Sequence, residues 1–491
     1  MRLLLQSALF EHDIRGLLMA YFPWTKFDTE EGQQEDDFVQ ILFDNEASMK
    51  EDGYLSGTIR AGISGIVREE SFRAEYRDLK FCRNRMKREF CRMMSEMTGK
   101  TLPWGTLSGV RPVKIPMEML SDGQTDSEIL KYLREELLVS GEKSALALEI
   151  AKRERLLMEK CTGEDTYSLY LGIPFCPTTC LYCSFTSYPI ARYKDRVEEY
   201  LMALFSEIDF VAERFRDRRL RTVYFGGGTP TTLSAADLEK LLSYIEKKLN
   251  LSEMLEWTVE AGRPDSIDRE KLLVLKNHPV SRISINPQTM NQKTLDLIGR
   301  RHTVEEVESA YSLARELGFS DINMDLILGL PGETEEDIRY TIQRITELAP
   351  ENVTLHSLAV KRSSRLNLLK EQYQGFRMEN SDEIMRMCEE HLRGIGLQPY
   401  YLYRQKNMAG NQENTGFALP GKEGLYNIMT MEECQDIVAL GAGAVSRRNF
   451  PGGRIERCDN VKDIGKYLSE TDEMIRRKSE LFRWEEEKKQ N

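Results

Sequence analysis

From about Tyr167 to Leu358 the chain repeats one pattern: a short apolar, β-branched run, a loop, then a longer segment with helical periodicity. Six runs read as strands: Tyr167–Ile173, Thr222–Phe225, Glu256–Glu260, Arg282–Ile285, Ile322–Leu328 and Asn352–Leu358. Between them, Val197–Phe215, Ala235–Leu249, Val304–Leu317 and Glu335–Leu348 carry helical spacing, and Thr334 stands where an N-cap belongs. Successive βα units dictate an α/β fold, with a parallel sheet, closed or partly closed, and helices outside it.

The flanks do not share this period. The sequence has 491 residues, more than one core usually organises, and the expected division is 1–160, 161–360 and 361–491. In the first region Asp37–Phe43 and Tyr54–Ile59 read as strands and Tyr76–Met97 as a cationic helix, which suggests a separate α+β domain of unknown role. Leu102–Pro112 is turn-rich and irregular. In the last region Ser381–Gly394 reads as a helix, Tyr400–Tyr403 as a strand and Lys406–Gly424 as loop. Glu470–Asn491 alternates in charge and reads as a solvated helix. The 80 acidic against 68 basic residues give a net charge of -12, which repels a phosphate backbone and argues against nucleic acid. No apolar run approaches the roughly 20 residues that cross a bilayer, and no signal peptide is read at the start.

Nine cysteines, an odd number without a secretion signal, argue against a disulfide framework and for the reducing cytoplasm. Cys82, Cys91, Cys161, Cys388, Cys434 and Cys458 stand singly and read as buried or half-buried thiols. The other three form Cys176-Pro177-Thr178-Thr179-Cys180-Leu181-Tyr182-Cys183, a C-x3-C-x2-C loop directly after the first strand of the series. Loops at the carboxyl ends of strands are where barrel enzymes build their sites. Thiolates suit iron–sulfur clusters, and three of them leave one iron of a four-iron cube without a protein ligand. Paired cysteines also hold zinc, which would want a fourth protein ligand; none of the five histidines lies in this loop.

After the second strand comes Tyr224-Phe225-Gly226-Gly227-Gly228-Thr229-Pro230. Three glycines let the backbone approach a ligand, although such a triplet can also be an ordinary tight turn. Together with Tyr170–Cys176 and Asp325–Gly332, these segments resemble the oxygen-independent coproporphyrinogen III oxidase family of radical S-adenosylmethionine (SAM) enzymes. Within it the length, the extra N-terminal region and the stretch 401–407 look most like the coproporphyrinogen dehydrogenase, HemZ-type branch.

The resemblance implies a partial (β/α)6 radical SAM barrel, with a [4Fe–4S] cluster on Cys176, Cys180 and Cys183 and SAM as second cofactor. It further implies SAM contacts from Tyr170, Tyr182, Gly227, Gly228, Thr229, Glu260, Gln288, Arg300, Asp325 and Ala359, with Val445 the loosest match. The family reaction converts two propionates of coproporphyrinogen III to vinyl groups, giving protoporphyrinogen IX in heme biosynthesis. An electron donor such as flavodoxin or ferredoxin would reduce the cluster. Propionates call for cations, and the candidates are Lys361, Arg362 and Arg365, then Arg404 with Lys406, then Arg447 and Arg448. No catalytic residue is assigned beyond the cofactor ligands.

One departure bears on activity. The oxidase carries a fourth cysteine two residues after the third, and this chain has Phe185 there. Phenylalanine at that position resembles the heme-chaperone branch, although that branch's histidine–asparagine–tyrosine–tryptophan motif is not found. The alternative expectation is a heme- or porphyrin-binding radical SAM protein acting in heme delivery, or in heme methylation or ring opening.

Overall fold

The computed structural model describes residues 1–23, 25–28, 37–163, 165–369, 375, 378–406 and 408–483. It contains two compact units: residues 1–152 with 402–413, and residues 153–401 with 414–491.

In the first unit Arg2–Leu5 runs parallel to Phe38–Phe43, and Tyr54–Ile63 and Ile66–Glu75 continue the sheet antiparallel. Helices Glu11–Tyr21 and Leu79–Thr98 close its apolar face. Asp78 caps the second helix by accepting from the Phe81 N–H at 2.6 Å, and Gly99 ends it at φ 68°. Ile66–Glu75 escapes a reading by hydrophobic pattern because it is mostly charged and exposed. Ser64-Gly65, both at positive φ, form the two-residue turn that pairs Ile63 with Ile66. The irregular 102–112 segment belongs to this unit, where Trp104 is buried and donates to Glu413 at 2.8 Å.

In the second unit six parallel strands follow chain order: Thr166–Ile173, Arg219–Gly227, Glu256–Glu260, Arg282–Ser284, Ile322–Leu328 and Asn352–Ser357. Helices Val197–Arg214, Ala235–Lys248, Arg269–Asn277, Val304–Glu316 and Glu335–Leu348 lie between them. This is the expected partial (β/α)6 barrel. Thr334 caps its helix as its position predicts, in a capping box with Asp337.

Alternation along each strand decides what faces where. Leu169, Leu171, Val223, Phe225, Trp257, Val259, Met324 and Leu355 are buried in the core cluster shared with the helices. The opposite set, Ser168, Thr222, Glu256, Arg282, Asp321 and Asn352, is polar, buried and mutually bonded. Arg282 meets Glu256 at 3.2 Å and Asp321 at 3.0 Å, and Asn352 donates to Asp321 at 2.8 Å. The sheet therefore has an apolar outer face and a polar inner one.

Residues past 361 extend the same sheet. Asn414–Ala418, within the stretch read as loop, pairs antiparallel with the sixth barrel strand. Asp436–Leu440 pairs parallel with the first, and Val445–Asn449 and Ile455–Asp459 follow antiparallel. Thr471–Leu481 is helical, but the expectation of a merely solvated helix needs correction. Met474 and Lys478 are fully buried, and Lys478 Nζ lies 2.6 Å from Glu207; residues 484–491 fall outside the described part. Arg447 and Arg448 are structural rather than available to a substrate. Arg447 donates to the carbonyls of Met429 and Thr430 at the end of helix Leu425–Met431, and Arg448 to that of Leu481. Among the described residues no helix is long and apolar enough to cross a membrane.

Candidate cofactor site

The cysteine loop leaves the carboxyl end of the first barrel strand and is tied down on several sides. Leu181 N–H donates to the Ile298 carbonyl at 2.9 Å, Leu366 N–H to the Leu181 carbonyl at 2.8 Å, and the Thr178 hydroxyl to Gly299 at 3.1 Å. Cys176 Sγ lies 3.5 Å from the Thr229 hydroxyl, and the Arg263 guanidinium reaches Thr178 Oγ1 at 3.2 Å and Cys180 Sγ at 3.7 Å. Asp265 holds Arg263 at 2.7 Å. Sequence reasoning missed Arg263; its place just past the third strand, beside the Cys180 sulfur, is a signal of position only.

All nine cysteines are free thiols, and the six single ones are buried or half-buried as expected. Burial pushes Cys91, Cys388 and Cys434 up to about 12, which keeps them inert. Desolvation also raises Cys176 to about 11, with Cys180 and Cys183 adding to the shift. Burial raises Cys183 too, and a cationic metal centre would reverse that balance at Cys176 and Cys183. Among the described residues no three Cys, His, Asp or Glu side chains are gathered tightly enough for one shared metal ion. A cubane does not ask for that, because each thiolate binds a different iron. Neither acid nor histidine joins the loop as a fourth ligand, so the donor set fits a cluster with one open iron better than it fits zinc.

Beside it, the Gly226–Thr229 loop is held by Gly228 N–H to Ile173 and Thr229 N–H to Phe175, at 2.8 and 2.7 Å. Gly227 sits at φ 103°, and a Cβ on Gly228 would come within 2.6 Å of the Phe175 carbonyl. Glycine is required at both positions, where the loop packs against the Ile173–Phe175 backbone.

Along the inner face of the barrel Tyr224 donates to Glu260 at 2.6 Å, and the rings of Tyr224 and Tyr426 stack at 4.5 Å with Tyr170 6.2 Å from each. Glu256 accepts the Leu425 N–H at 2.6 Å, anchoring the N-terminus of the Tyr426 helix. The stacked tyrosine pair with Tyr170 went unread because Tyr426 lies far along the chain. Desolvation raises Glu260 to about 7, only partly offset by Tyr224. Burial alone would raise Asp325 as well, but His356, 3.8 Å away, and Asn323, donating at 2.8 Å, hold it below its ordinary value. Two carboxyl groups on one inner face are thus shifted in opposite directions.

Gln288 carries a left-handed φ of 69°, and its N–H and carbonyl are both bonded to the fifth strand, to Asp325 and Ile327. Its Oε1 is buried without a partner among the described residues. A buried acceptor without a partner is uncommon and leaves room for a donor there. Arg300 is buried against Tyr182 and Cys180 and donates to the Asn286 carbonyl. Ala359 lies half-buried just past the sixth strand, and Val445 is 45% exposed at the start of its own strand. Lys361, Arg362 and Arg365 follow that sixth strand in the same unit. Arg404 and Lys406 belong to the first unit.

Residues 170–345 match the radical SAM superfamily model. The chain is 39% identical over 409 residues to the oxygen-independent coproporphyrinogen-III oxidase-like protein HemZ of Bacillus subtilis, covering 82% of each chain. It is 34% identical to the heme chaperone HemW of Lactococcus lactis, over 56% of this chain and 68% of that one. Among solved structures it resembles coproporphyrinogen III oxidase (HemN) from Escherichia coli, a radical SAM enzyme, with a TM-score of 0.51 at 24% identity over 65% of this chain and 72% of the other. A radical SAM fold with HemN-like architecture brings a [4Fe–4S] cluster and SAM as its cofactors. The chain belongs to the oxygen-independent coproporphyrinogen III oxidase family of radical SAM proteins, in the company of HemZ.

Proposed function

We propose that the chain is a radical SAM oxidoreductase that decarboxylates two propionates of coproporphyrinogen III to vinyl groups, working in the cytoplasm with an external one-electron donor such as flavodoxin or ferredoxin. The observation that carries the reading is the likeness to HemZ across 82% of both chains, which takes in flanking regions as well as the barrel. In this reading Cys176, Cys180 and Cys183 hold the cluster, and when bound the cluster and SAM supply the radical that removes hydrogen from unactivated carbon.

The chain's own residues then position and exclude. The Gly227–Thr229 backbone receives the amino-acid end of SAM, with Glu260, Gln288, Arg300, Asp325 and Ala359 completing its contacts and Val445 at the edge. Tyr182 packs beside the adenine, and Tyr170 backs the site. Glu260, at about 7, is available in both protonation states near neutrality, whereas Asp325 stays anionic. Lys361, half-buried and with its ammonium pushed down by desolvation, lies with exposed Arg362 and Arg365 where propionates would be met. Arg404 spends its donors inside the first unit on Leu107 and Asn411, and this leaves the second unit's three cations as the substrate set.

One observation favours a second reading, heme delivery. Phe185, two residues past Cys183, is 75% exposed, an apolar surface next to the cluster loop, and HemW relatives match the barrel. Parallel anaerobic incubations of reconstituted protein with SAM and reductant, one given coproporphyrinogen III and the other heme, separate the two. Protoporphyrinogen IX and CO2 by mass support the decarboxylase. Stable heme retention with no SAM turnover overturns it in favour of delivery, and methylated or ring-opened heme would overturn both.

A further inference from the structure

The first unit contains a cavity of about 310 Å³ outside the cofactor site, and its described lining residues all belong to that unit. Its walls are apolar where Leu17, Met19, Leu102 and Met408 face it, and its polar lining is basic: His12, Lys100, Arg404 and Lys406, with no carboxylate among the described lining residues.

Of these four, Arg404 is buried while His12, Lys100 and Lys406 are exposed, and no carboxylate meets any of them among the described residues. Arg404 is 5% exposed, and its guanidinium is met by the Leu107 and Asn411 carbonyls and the Asn411 amide oxygen, by no carboxylate among the described residues. The nearest acid in its electrostatic environment, Glu413, is engaged by Lys143 at 2.7 Å and Trp104 at 2.8 Å. Lys406 Nζ is within hydrogen-bond distance of His12 Nε2 at 3.4 Å, and Lys100 Nζ donates to the Tyr21 carbonyl at 3.4 Å, each a neutral partner. Behind the wall Asp13 is already shared between Lys87 at 3.2 Å and Arg83 at 3.9 Å. Like charges gathered around one concavity with no carboxylate among them raise a local positive potential, which an anion bound there would meet.

We propose that this cavity is a binding site for a small organic dianion with an apolar body, a phosphate monoester or a dicarboxylate. Lys100 and Lys406 supply the free ammonium donors, with Arg404 adding charge but no free donors to the lining, and two ammonium groups suit a dianion better than a monocarboxylate. The volume, at the small end of ligand sites, holds a body of about one ring and no tetrapyrrole. The site stands whether or not the decarboxylase reading does.

Isothermal titration of the full reconstituted chain with phenyl phosphate, phthalate and neutral phenol tests it. At least one dianion binds saturably, one per chain, and phenol does not. Lys100→Ala and Lys406→Ala each weaken that dianion about tenfold while melting as the parent does, since neither side chain holds the fold. Arg404 is left intact because it does. Absence of saturable binding of both dianions up to ~5 mM, equal binding of phenol, or binding unchanged in the Lys100→Ala/Lys406→Ala double variant overturns the site. Phenyl phosphate against phthalate decides which headgroup it takes.

Discussion

Glu260 and Asp325 point from neighbouring parts of one inner barrel face, yet desolvation raises the first to about 7 while His356 and Asn323 lower the second. A carboxyl raised in the folded state binds its proton more tightly there than when unfolded. Its stabilising contribution is therefore complete below about 4.5 and lost as pH rises to about 7. The cofactor-free Glu260→Gln variant, which has no such proton, is expected to gain on the parent across that window and to run parallel above it. Urea denaturation at stepped pH checks this, and a constant difference from pH 4 to 8 would contradict the environment described. Gln288 gives a sharper contrast between positioning a loop and contacting a ligand. Its Oε1 has no partner to lose among the described residues, so Gln288→Ala should cost only its packing, about 1 kcal/mol, and weaken SAM binding about tenfold. A loop cap would show the reverse, lost stability with affinity kept.

At the scale of elements, the Thr471–Leu481 helix has a structural task beneath the Gly441–Ser446 turn. Glu207 Oε2 accepts from Gly441 N–H at 2.8 Å and Tyr467 OH at 2.6 Å, Asn460 donates to Glu207 Oε1 at 2.9 Å, and Lys478 completes the buried set. Lys478→Met leaves Glu207 charged and unpaired and should cost about 3–5 kcal/mol, whereas Glu207→Leu with Lys478→Met should recover much of that; chemical denaturation of the pair checks both. This helix shows where sequence legibility stopped. Its alternating charges hide Lys478, whose partner is 271 positions away, and no local pattern carries that pairing. Ile66–Glu75 was hidden likewise, because an exposed edge strand has no apolar period and only its Ser64-Gly65 turn gives it away. The six barrel strands were legible because each has one apolar face packed on helices, and the cysteine loop because its ligands are local. Arg263 and the Tyr170–Tyr224–Tyr426 group needed the closed strands to bring them together.

For the whole molecule, the larger of its sheets runs from Gln398–Tyr403 at one edge to Ile455–Asp459 at the other, with the cysteine and glycine loops at strand carboxyl ends. Every functional statement rests on the cysteine loop holding a cluster whose fourth iron is open to SAM. Electron paramagnetic resonance of the anaerobically reconstituted, reduced protein, recorded with and without SAM, tests that directly. The account predicts about four irons per chain, a reduced-cluster signal that shifts when SAM is added, and loss of both iron and signal in Cys176→Ala, Cys180→Ala and Cys183→Ala. Zinc in place of iron, a cluster signal indifferent to SAM, or a cysteine variant that keeps its cluster would contradict it.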